Sequence, residues 1–225
     1  LEGEITLLKP LVRSGDLIIE VGAKLGAQTV AFAKAVSSKG KVLAIEPQRL
    51  LFQMLCGNLA INQCINVYPY PVAVGASSGF TQIPVPPTFR AETELPVSEP
   101  VQVTTLDSFA VPQCRLLKIN GLETALSILQ GATATVQRHQ PIVYIRDLQP
   151  QSASSAWNIP SDLQPYLEQL GYNLYRHPVP WYQPDNFRLS PLPESNPIAS
   201  NLLGLPRRLE ITVQGVERIT PLPRL

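Results

Sequence analysis

Residues 17–30, LIIEVGAKLGAQTV, combine three signals that together predict the fold. Leu17–Val21 is a nearly continuous apolar run, which is typical of a strand that is buried on both faces. Gly22 and Gly26 follow it, and residues 28–36 then have the composition of a helix that ends near Gly40. A buried strand, a glycine turn and a helix in this order indicate the first unit of a parallel α/β sheet.

The same alternation continues along the chain. Residues 41–45 predict a second buried strand, residues up to about 61 predict a helix with one apolar face, and residues 66–74 predict a third strand region. The first 75 residues therefore read β-α-β-α-β, the pattern of an open parallel sheet with covering helices. Further strands are predicted at 115–119, 141–145, 172–176 and 201–205, helices at 125–136 and 161–170, and a hairpin-like excursion at 79–104.

Length and composition restrict the class of protein. The chain has 225 residues, of which 44% are hydrophobic and 16% charged, and this suits one α/β domain with a small extension. We place the domain at residues 1–206 and the extension at 207–225, where LEITVQGVERI alternates like an edge strand or a partner contact. Because the chain begins at Leu1 rather than Met, we expect its N-terminus to be incomplete.

Several kinds of site and location are disfavoured by the same sequence. A net charge of +1 provides no electrostatic footprint for nucleic acid. Three cysteines without a C-x-x-C pair argue against zinc, any other metal centre or a disulfide framework. No apolar run approaches the ~20 residues of a membrane span, and no signal peptide is visible, so we expect a cytoplasmic protein.

The glycine turn and the next acid suggest a nucleoside ligand. In an open parallel sheet, ligands lie outside the carboxyl ends of the strands, where residues 20–26 are expected. The turn matches neither a phosphate loop nor G-x-G-x-x-G, and strand–glycine–helix turns also occur without a ligand. Glu46 ends the second strand, where a carboxylate can accept ribose hydroxyls. It also suits the start of a helix beginning at Pro47, and the two interpretations are compatible.

Segments from most of the chain resemble the motifs of FkbM-type methyltransferases. They include GDLIIEVGAKLGAQTVAFAKAV, GKVLAIEPQRLLFQMLCGNLAIN, PVAVG, LLKINGLETALSILQGA, RHQPIVYI and GYNLY, spanning about residues 3–206. The resemblance implies a Rossmann-like class I methyltransferase fold, with a mostly parallel seven-stranded sheet and helices on both faces, and S-adenosylmethionine as cofactor. It implies that the residues around the cofactor are Glu20, Gly22, Ala23, Lys24, Gly26, Glu46, Ala73 and Val74.

This sequence departs from the family pattern at the chemical positions. Where the family motif reads D-V-G-A-N-I-G, this chain has Glu20 in place of the Asp and Lys24 in place of the Asn. The family motif K-I-D-V-E-G becomes KINGLE at 118–123, so that Asn120 replaces the Asp and Leu122 replaces the Glu. Asn120 and Glu123 are the catalytic candidates that remain, although an amide cannot act as a base.

Three further features have an open role. Arg146 follows the fifth strand, where it adds a cation. His139 at a helix end suits the helix dipole, whereas His177 is expected to begin a loop, either as a substrate contact or exposed to solvent. A late group of aromatic residues is expected either to line a substrate pocket or to cover a partner contact, namely Trp157, Tyr175, Trp181, Tyr182 and Phe187.

Two functions remain open at this point. The first is O- or N-methyl transfer from S-adenosylmethionine to an unknown methyl acceptor, which needs mainly proximity and orientation and so tolerates weakened motifs. The second is an inactive pseudo-methyltransferase that binds a protein partner as a structural subunit. Glu20, Lys24, Asn120 and Leu122 are the residues that discriminate between the two functions.

Overall fold

The computed structural model describes residues 2–85, 98–148, 159–180 and 198–221. Its helices are α1 (Glu2–Leu8), α2 (Ala27–Val36), α3 (Arg49–Ile61), α4 (Ala125–Gln130), α5 (Thr133–His139) and α6 (Leu163–Gln169). Its strands are β1 (Leu17–Val21), β2 (Lys41–Ile45), β3 (Val67–Tyr70), β4 (Ala73–Val74), β5 (Gly79–Pro84), β6 (Ser98–Thr104), β7 (Leu116–Asn120), β8 (Ile142–Arg146), β9 (Tyr172–Pro180), β10 (Ile198–Pro206) and β11 (Glu217–Arg218).

The main sheet has the order β11-β9-β10-β8-β7-β1-β2-β3. Strands β3, β2, β1, β7 and β8 pair in parallel, and β10 is antiparallel to both β8 and β9. The mostly parallel sheet predicted from the sequence is therefore confirmed, with the short β11 as an eighth strand. Strand order reverses between β1 and β7, so their carboxyl ends form the crevice in which such sheets bind ligands.

Two apolar cores cover the two faces of this sheet, because the strands are apolar on both sides. One core packs β-strand residues such as Ile19 and Ile119 against α4, α5 and α6. The other packs residues such as Ile18 and Leu116 against α1, α2 and α3. Helices on both faces are thus confirmed, and Cys114 and Cys64 are buried, one in each core.

The predicted third strand region, residues 66–74, forms two strands in different sheets. The strand β3 ends at Tyr70 and is followed by Pro71, which has no N–H to continue the ladder. The strand β4 pairs instead with β6 in a separate three-stranded sheet, β4-β6-β5. The predicted hairpin is confirmed as antiparallel β5 and β6, and its connection, 86–97, lies outside the described residues.

The single helix predicted over 125–136 is two helices, α4 and α5. A side-chain Cβ at Gly131 would come within 2.0 Å of the carbonyl oxygen of Gly75, so another backbone segment crosses at this point. The carboxylate of Asp107 accepts the backbone N–H of Thr135 at 2.8 Å and thereby supports the start of α5. The prediction of one helix was wrong because these distant contacts interrupt it.

The extension, residues 207–225, folds back onto the domain over its described part. Only Glu217–Arg218 pairs with β9, so the edge strand predicted from alternation is much shorter than expected. Its remaining apolar side chains that pack against the core beneath α1–α3 are Leu209, Ile211, Val213 and Val216. Burial of these side chains explains the alternation without a strand.

None of the helices in the described ranges is both long and apolar enough to cross a lipid bilayer.

Candidate functional site

The glycine turn lies at the carboxyl end of β1. Gly22 and Gly26 have φ values of 77° and 82°, in the left-handed region that favours glycine. The backbone N–H groups of Gly22 and Ala23 both donate to the carbonyl of Ile45, at 2.8 and 3.0 Å. A Cβ at Gly26 would come within 2.5 Å of Leu55 Cδ1, so the turn packs directly on α3. The sequence prediction of a tight turn at this edge is confirmed.

Glu46 ties this turn to the end of β2. Its Oε2 accepts the backbone N–H of Lys24 at 2.7 Å, and its Oε1 accepts the backbone N–H of Gln48 at 2.9 Å. Burial raises the pKa of the Glu46 carboxyl, and these two N–H donors act in the opposite direction. Each oxygen retains a further lone pair for a ligand hydroxyl. Helix α3 begins at Arg49, two residues later than the start predicted at Pro47. Glu46 therefore precedes the helix and does not lie in its first turn.

A cleft opens beside Glu46, between the start of α3 and the small sheet. Its cavity volume is about 10 Å³, room for roughly one water molecule, and Gln48 is among the residues that line it. The oxygen Oε1 of Gln48 is buried without a hydrogen-bond partner among the described residues. A buried acceptor of this kind is costly unless a donor reaches it, so the cleft suits a ligand with an amino group.

Lys24 occupies the left-handed position of the turn, with φ 53°. Its side chain is exposed, yet the surrounding protein and the nearby Arg146 lower its pKa, against the influence of Glu46 and Glu4. Asn is among the few non-glycine residues enriched in this backbone region. The family's Asn is therefore easily explained by the backbone, whereas Lys24 adds both strain and a cation.

Glu20 is buried beneath the turn. Its carboxylate is 1% exposed, accepts the Thr29 hydroxyl at 2.7 Å and lies 3.5 Å from Nζ of Lys118, which is 0% exposed. Burial raises the pKa of Glu20 and lowers the pKa of Lys118, and the attraction within the pair opposes both shifts. Both oxygens of Glu20 are thus engaged inside the protein, and its predicted contact with a cofactor stays a prediction.

The catalytic candidates at the end of β7 do not form a base in this arrangement. The amide of Asn120 donates to the carbonyl of Gly22 at 2.8 Å, which ties the end of β7 to the end of β1, and it accepts from Nζ of Lys118 in its own strand. Leu122 is 7% exposed and packs in the core of α4–α6. Glu123 is exposed in the following turn. Catalytic roles for Asn120 and Glu123 stay predictions.

A carboxylate from outside the predicted set reaches the same crevice. Glu4 of α1 is 1% exposed, and its Oε2 accepts Nε2 of Gln28 at 2.7 Å. Its Oε1 lies 3.1 Å from Nε of Arg146, although that N–H does not point along the line between the two atoms. Sequence reasoning missed Glu4 because it is one of two acids in a short helix, with no motif around it.

A second group missed in the sequence is a buried chain of polar side chains on β8, β9 and β10. Asn201 accepts the N–H of Asp147 at 3.0 Å and donates to the Tyr144 hydroxyl at 2.8 Å. That hydroxyl lies 2.7 Å from Nδ1 of His177 and has its proton free to donate there, which places the neutral ring's proton on Nε2. Burial lowers the pKa of His177.

The remaining sequence predictions are located as follows. The strand β9 continues to Pro180, so the prediction that His177 begins a loop was wrong. The side chain of His177 is 7% exposed. His139 ends α5, as predicted, and contacts the Val111 carbonyl at 3.2 Å. Ala73 and Val74 are half-buried in β4, and their cofactor contact stays a prediction. The aromatic residues that lie outside the described residues are Trp157, Trp181, Tyr182 and Phe187.

Residues 20–174 match the family described as methyltransferase FkbM domain, which is more than half of the chain. The chain belongs to the FkbM methyltransferase family. This confirms the family expected from the motifs. The glycine turn, Glu46 and the end of β7 all lie within the matched range. The assignment also supports S-adenosylmethionine as cofactor, as the sequence predicts.

Solved methyltransferases have the same fold as this FkbM domain. The methyltransferase FkbM of Methylobacillus flagellatus KT superposes with a TM-score of 0.57 at 19% identity, over 87% of this chain and 45% of that protein. The precorrin-6y C5,15-methyltransferase of Geobacter metallireducens GS-15 gives 0.56 at 14% identity, over 91% and 87% of the chains. A SAM-dependent O-methyltransferase of Thermotoga maritima gives 0.54 at 15%, over 93% and 66%.

At these low identities, the superpositions establish the fold of the FkbM domain but not its acceptor or activity. The chain spans less than half the length of the Methylobacillus protein. No sequence among curated proteins matches the chain.

Proposed function

We propose that this FkbM domain binds S-adenosylmethionine at the glycine turn and transfers its methyl group to an oxygen or nitrogen of an acceptor. The observation that carries the proposal is the Glu46 carboxylate, which is fixed by two backbone N–H groups and still has lone pairs for two ribose hydroxyls. It lies in the segment that matches the methyltransferase family, at the edge of the sheet where ligands bind.

In this proposal, different residues bind different parts of the cofactor. Glu46 accepts the ribose hydroxyls, and Gln48 offers its unpartnered Oε1 to an amino group of the base. The turn at Gly22–Gly26 allows close approach of the ligand to the backbone. The cofactor, when bound, supplies an activated methyl group on a sulfonium. Transfer then depends chiefly on holding the acceptor in line, which requires no strong base.

A calorimetric titration tests the proposal. S-adenosylmethionine and its demethylated product should each bind the wild-type chain with micromolar affinity. Glu46→Gln should weaken both by at least about tenfold, because one carboxylate oxygen becomes an N–H donor facing other donors. Glu210→Gln removes an exposed carboxylate from the C-terminal extension and serves as the matched control. Absence of wild-type binding at millimolar ligand would overturn the proposal.

A second function has its own supporting observation. Both ends of the Asn120 amide are bonded within the protein, one of them joining β7 to the end of β1, and Leu122 is packed in the core, which supports a structural role for the family's two acidic positions in this chain. A domain that binds the cofactor without turnover would then serve as a binding or structural subunit. Labelled S-adenosylmethionine incubated with a cell extract distinguishes the two. Methyl label that appears with the wild type and disappears with Glu46→Gln supports the enzyme, whereas cofactor binding without any label transfer supports the subunit.

A further inference from the structure

We propose that Glu4, carried into the crevice by α1, is the carboxylate that faces the cofactor's sulfonium at the transfer site. The inference rests on the proposed function, since it assumes that S-adenosylmethionine occupies the glycine turn. It assigns to a residue of α1 the negative charge that the β7 motif lacks at Asn120 and Leu122.

The position of Glu4 is fixed from two sides. Gln28 lies in the first turn of α2, directly after the glycine turn, and donates to Glu4 at 2.7 Å. Arg146 ends β8 and lies 3.1 Å from the other oxygen. The register pairs Arg146 with Asn120, and Asn120 in turn bonds to Gly22. Glu4 therefore lies at the carboxyl end of the sheet, between the start of α2 and the end of β8, one strand away from the reversal of strand order between β1 and β7.

Glu4 is an interior carboxylate whose direct contacts come from α2 and β8. Burial is the main cause of the pKa shifts of the titratable groups around it, and the charge of Glu4 is a smaller cause for Lys24, Glu20, Lys118, Tyr144 and His177. Glu4 is not a surface charge at the start of the chain.

Glu46 is also buried in the crevice but is assigned to the ribose, and Glu20, a further buried acid, is less suited to the role. Its oxygens are engaged by the Thr29 hydroxyl and by Lys118, which is fully buried beneath it. Glu4 is paired instead with Arg146, whose side chain is 20% exposed, so this ion pair borders the open side of the crevice, whereas the Glu20 pair is sealed. A sulfonium is a cation without N–H donors, and it needs only such a nearby negative charge.

Comparison of two ligands isolates this charge without knowledge of the acceptor. S-adenosylmethionine and S-adenosylhomocysteine differ by the methyl group and the positive charge on sulfur. Glu4→Gln keeps the shape of the side chain and removes its charge, so the preference for the charged ligand should fall by about tenfold. Glu2→Gln is the matched control, because Glu2 is an exposed acid on the same helix, and it should leave the ratio of the two dissociation constants unchanged.

The outcomes separate this proposal from the proposed function. If Glu4→Gln weakens both ligands equally, or neither, Glu4 only holds α1 on the sheet and the inference is wrong. If the wild type binds neither ligand, the proposed function itself fails. Arg146→Met provides an independent variant should Glu4→Gln not fold. Removal of the competing guanidinium should raise the preference for the charged ligand, and a fall in that preference would count against the inference.

Discussion

The two halves of the crevice are built by different means. The half at β2 places its carboxylate with backbone groups, since Glu46 is held by the N–H groups of Lys24 and Gln48. The half at β7 and β8 is built from side chains of distant segments, with Glu4 brought to Arg146 by α1. Backbone geometry follows from a local motif, whereas side-chain pairing depends on the whole fold. The first half therefore tolerates little change of its sequence, whereas the second half tolerates substitutions that preserve its charge balance.

Disruption of the ion pair beneath the β7 half is expected to have the largest effect on stability. Lys118→Met should leave the fully buried Glu20 without its counter-ion and lower the free energy of unfolding by about 3–5 kcal/mol. Adding Glu20→Gln removes both charges, so the double variant should lose less than the sum of the two single variants. Urea unfolding followed by circular dichroism measures all three. A loss below about 1 kcal/mol in Lys118→Met would mean that Glu20 carries a proton and the pair is not ionic.

The glycine turn of the other half responds to added volume. Gly26→Ala places a methyl group 2.5 Å from Leu55 Cδ1 at a φ of 82°, so strain and overpacking should lower stability by about 2–4 kcal/mol. Gly57→Ala is the matched control, because Gly57 lies within α3 with nothing within 4 Å of an added Cβ. It should raise stability by about 0.5–1 kcal/mol. Equal effects in thermal unfolding would show that the turn relaxes away from α3.

Most of the fold could be predicted because its elements are locally encoded. The strands β1 and β2 carry apolar runs at the predicted residues, and the glycines mark the turn between them and their helices. The failures have tertiary causes. The sequence around Gly131 reads as one helix, and only the close approach of the Gly75 backbone shows why the helix is interrupted there. The alternation at 209–216 comes from apolar side chains that pack on a core and not from a strand.

The site could be predicted only in its backbone-built half. Glu46 follows a strand and precedes a helix, and this local signal is sufficient to place it at the crevice. Glu4 and Gln28 lack such a signal, because their contact depends on how α1 docks across the sheet. His177 was expected in a loop, since nothing in residues 172–180 announces that β9 continues to Pro180.

The buried His177 makes the β8–β10 side of the crevice sensitive to acid. Its folded-state pKa is lowered by burial, so below about pH 6.5 the unfolded chain takes up a proton that the folded chain refuses. Stability from this residue is therefore complete above that pH and falls as the solution is acidified towards the folded pKa, by up to about 1 kcal/mol per pH unit.

Urea unfolding at pH 7.5, 6.5 and 5.5 for wild type and His177→Gln measures the effect. The variant should show the shallower pH dependence, while the opposite trends of Glu20 and Glu46, whose pKa values are raised, cancel in the difference. His139→Gln is the control for loss of an imidazole at the other end of the sheet. Parallel curves for wild type and His177→Gln would contradict the burial of a neutral ring.

Lys24→Asn is expected to have the smallest effect on stability. Lys24 has φ 53°, a conformation that Asn adopts more readily, so the variant should gain about 0.5–1 kcal/mol of stability. Lys39→Asn, at an exposed site without positive φ, should gain nothing. Removal of the Lys24 charge should also favour S-adenosylmethionine over S-adenosylhomocysteine, but by less than the Glu4 effect, since Lys24 is exposed and solvent screens it. If Lys24→Asn shifts that preference more than Glu4→Gln does, the charge that matters for the sulfonium lies on the glycine turn, and the β7 half has lost its role.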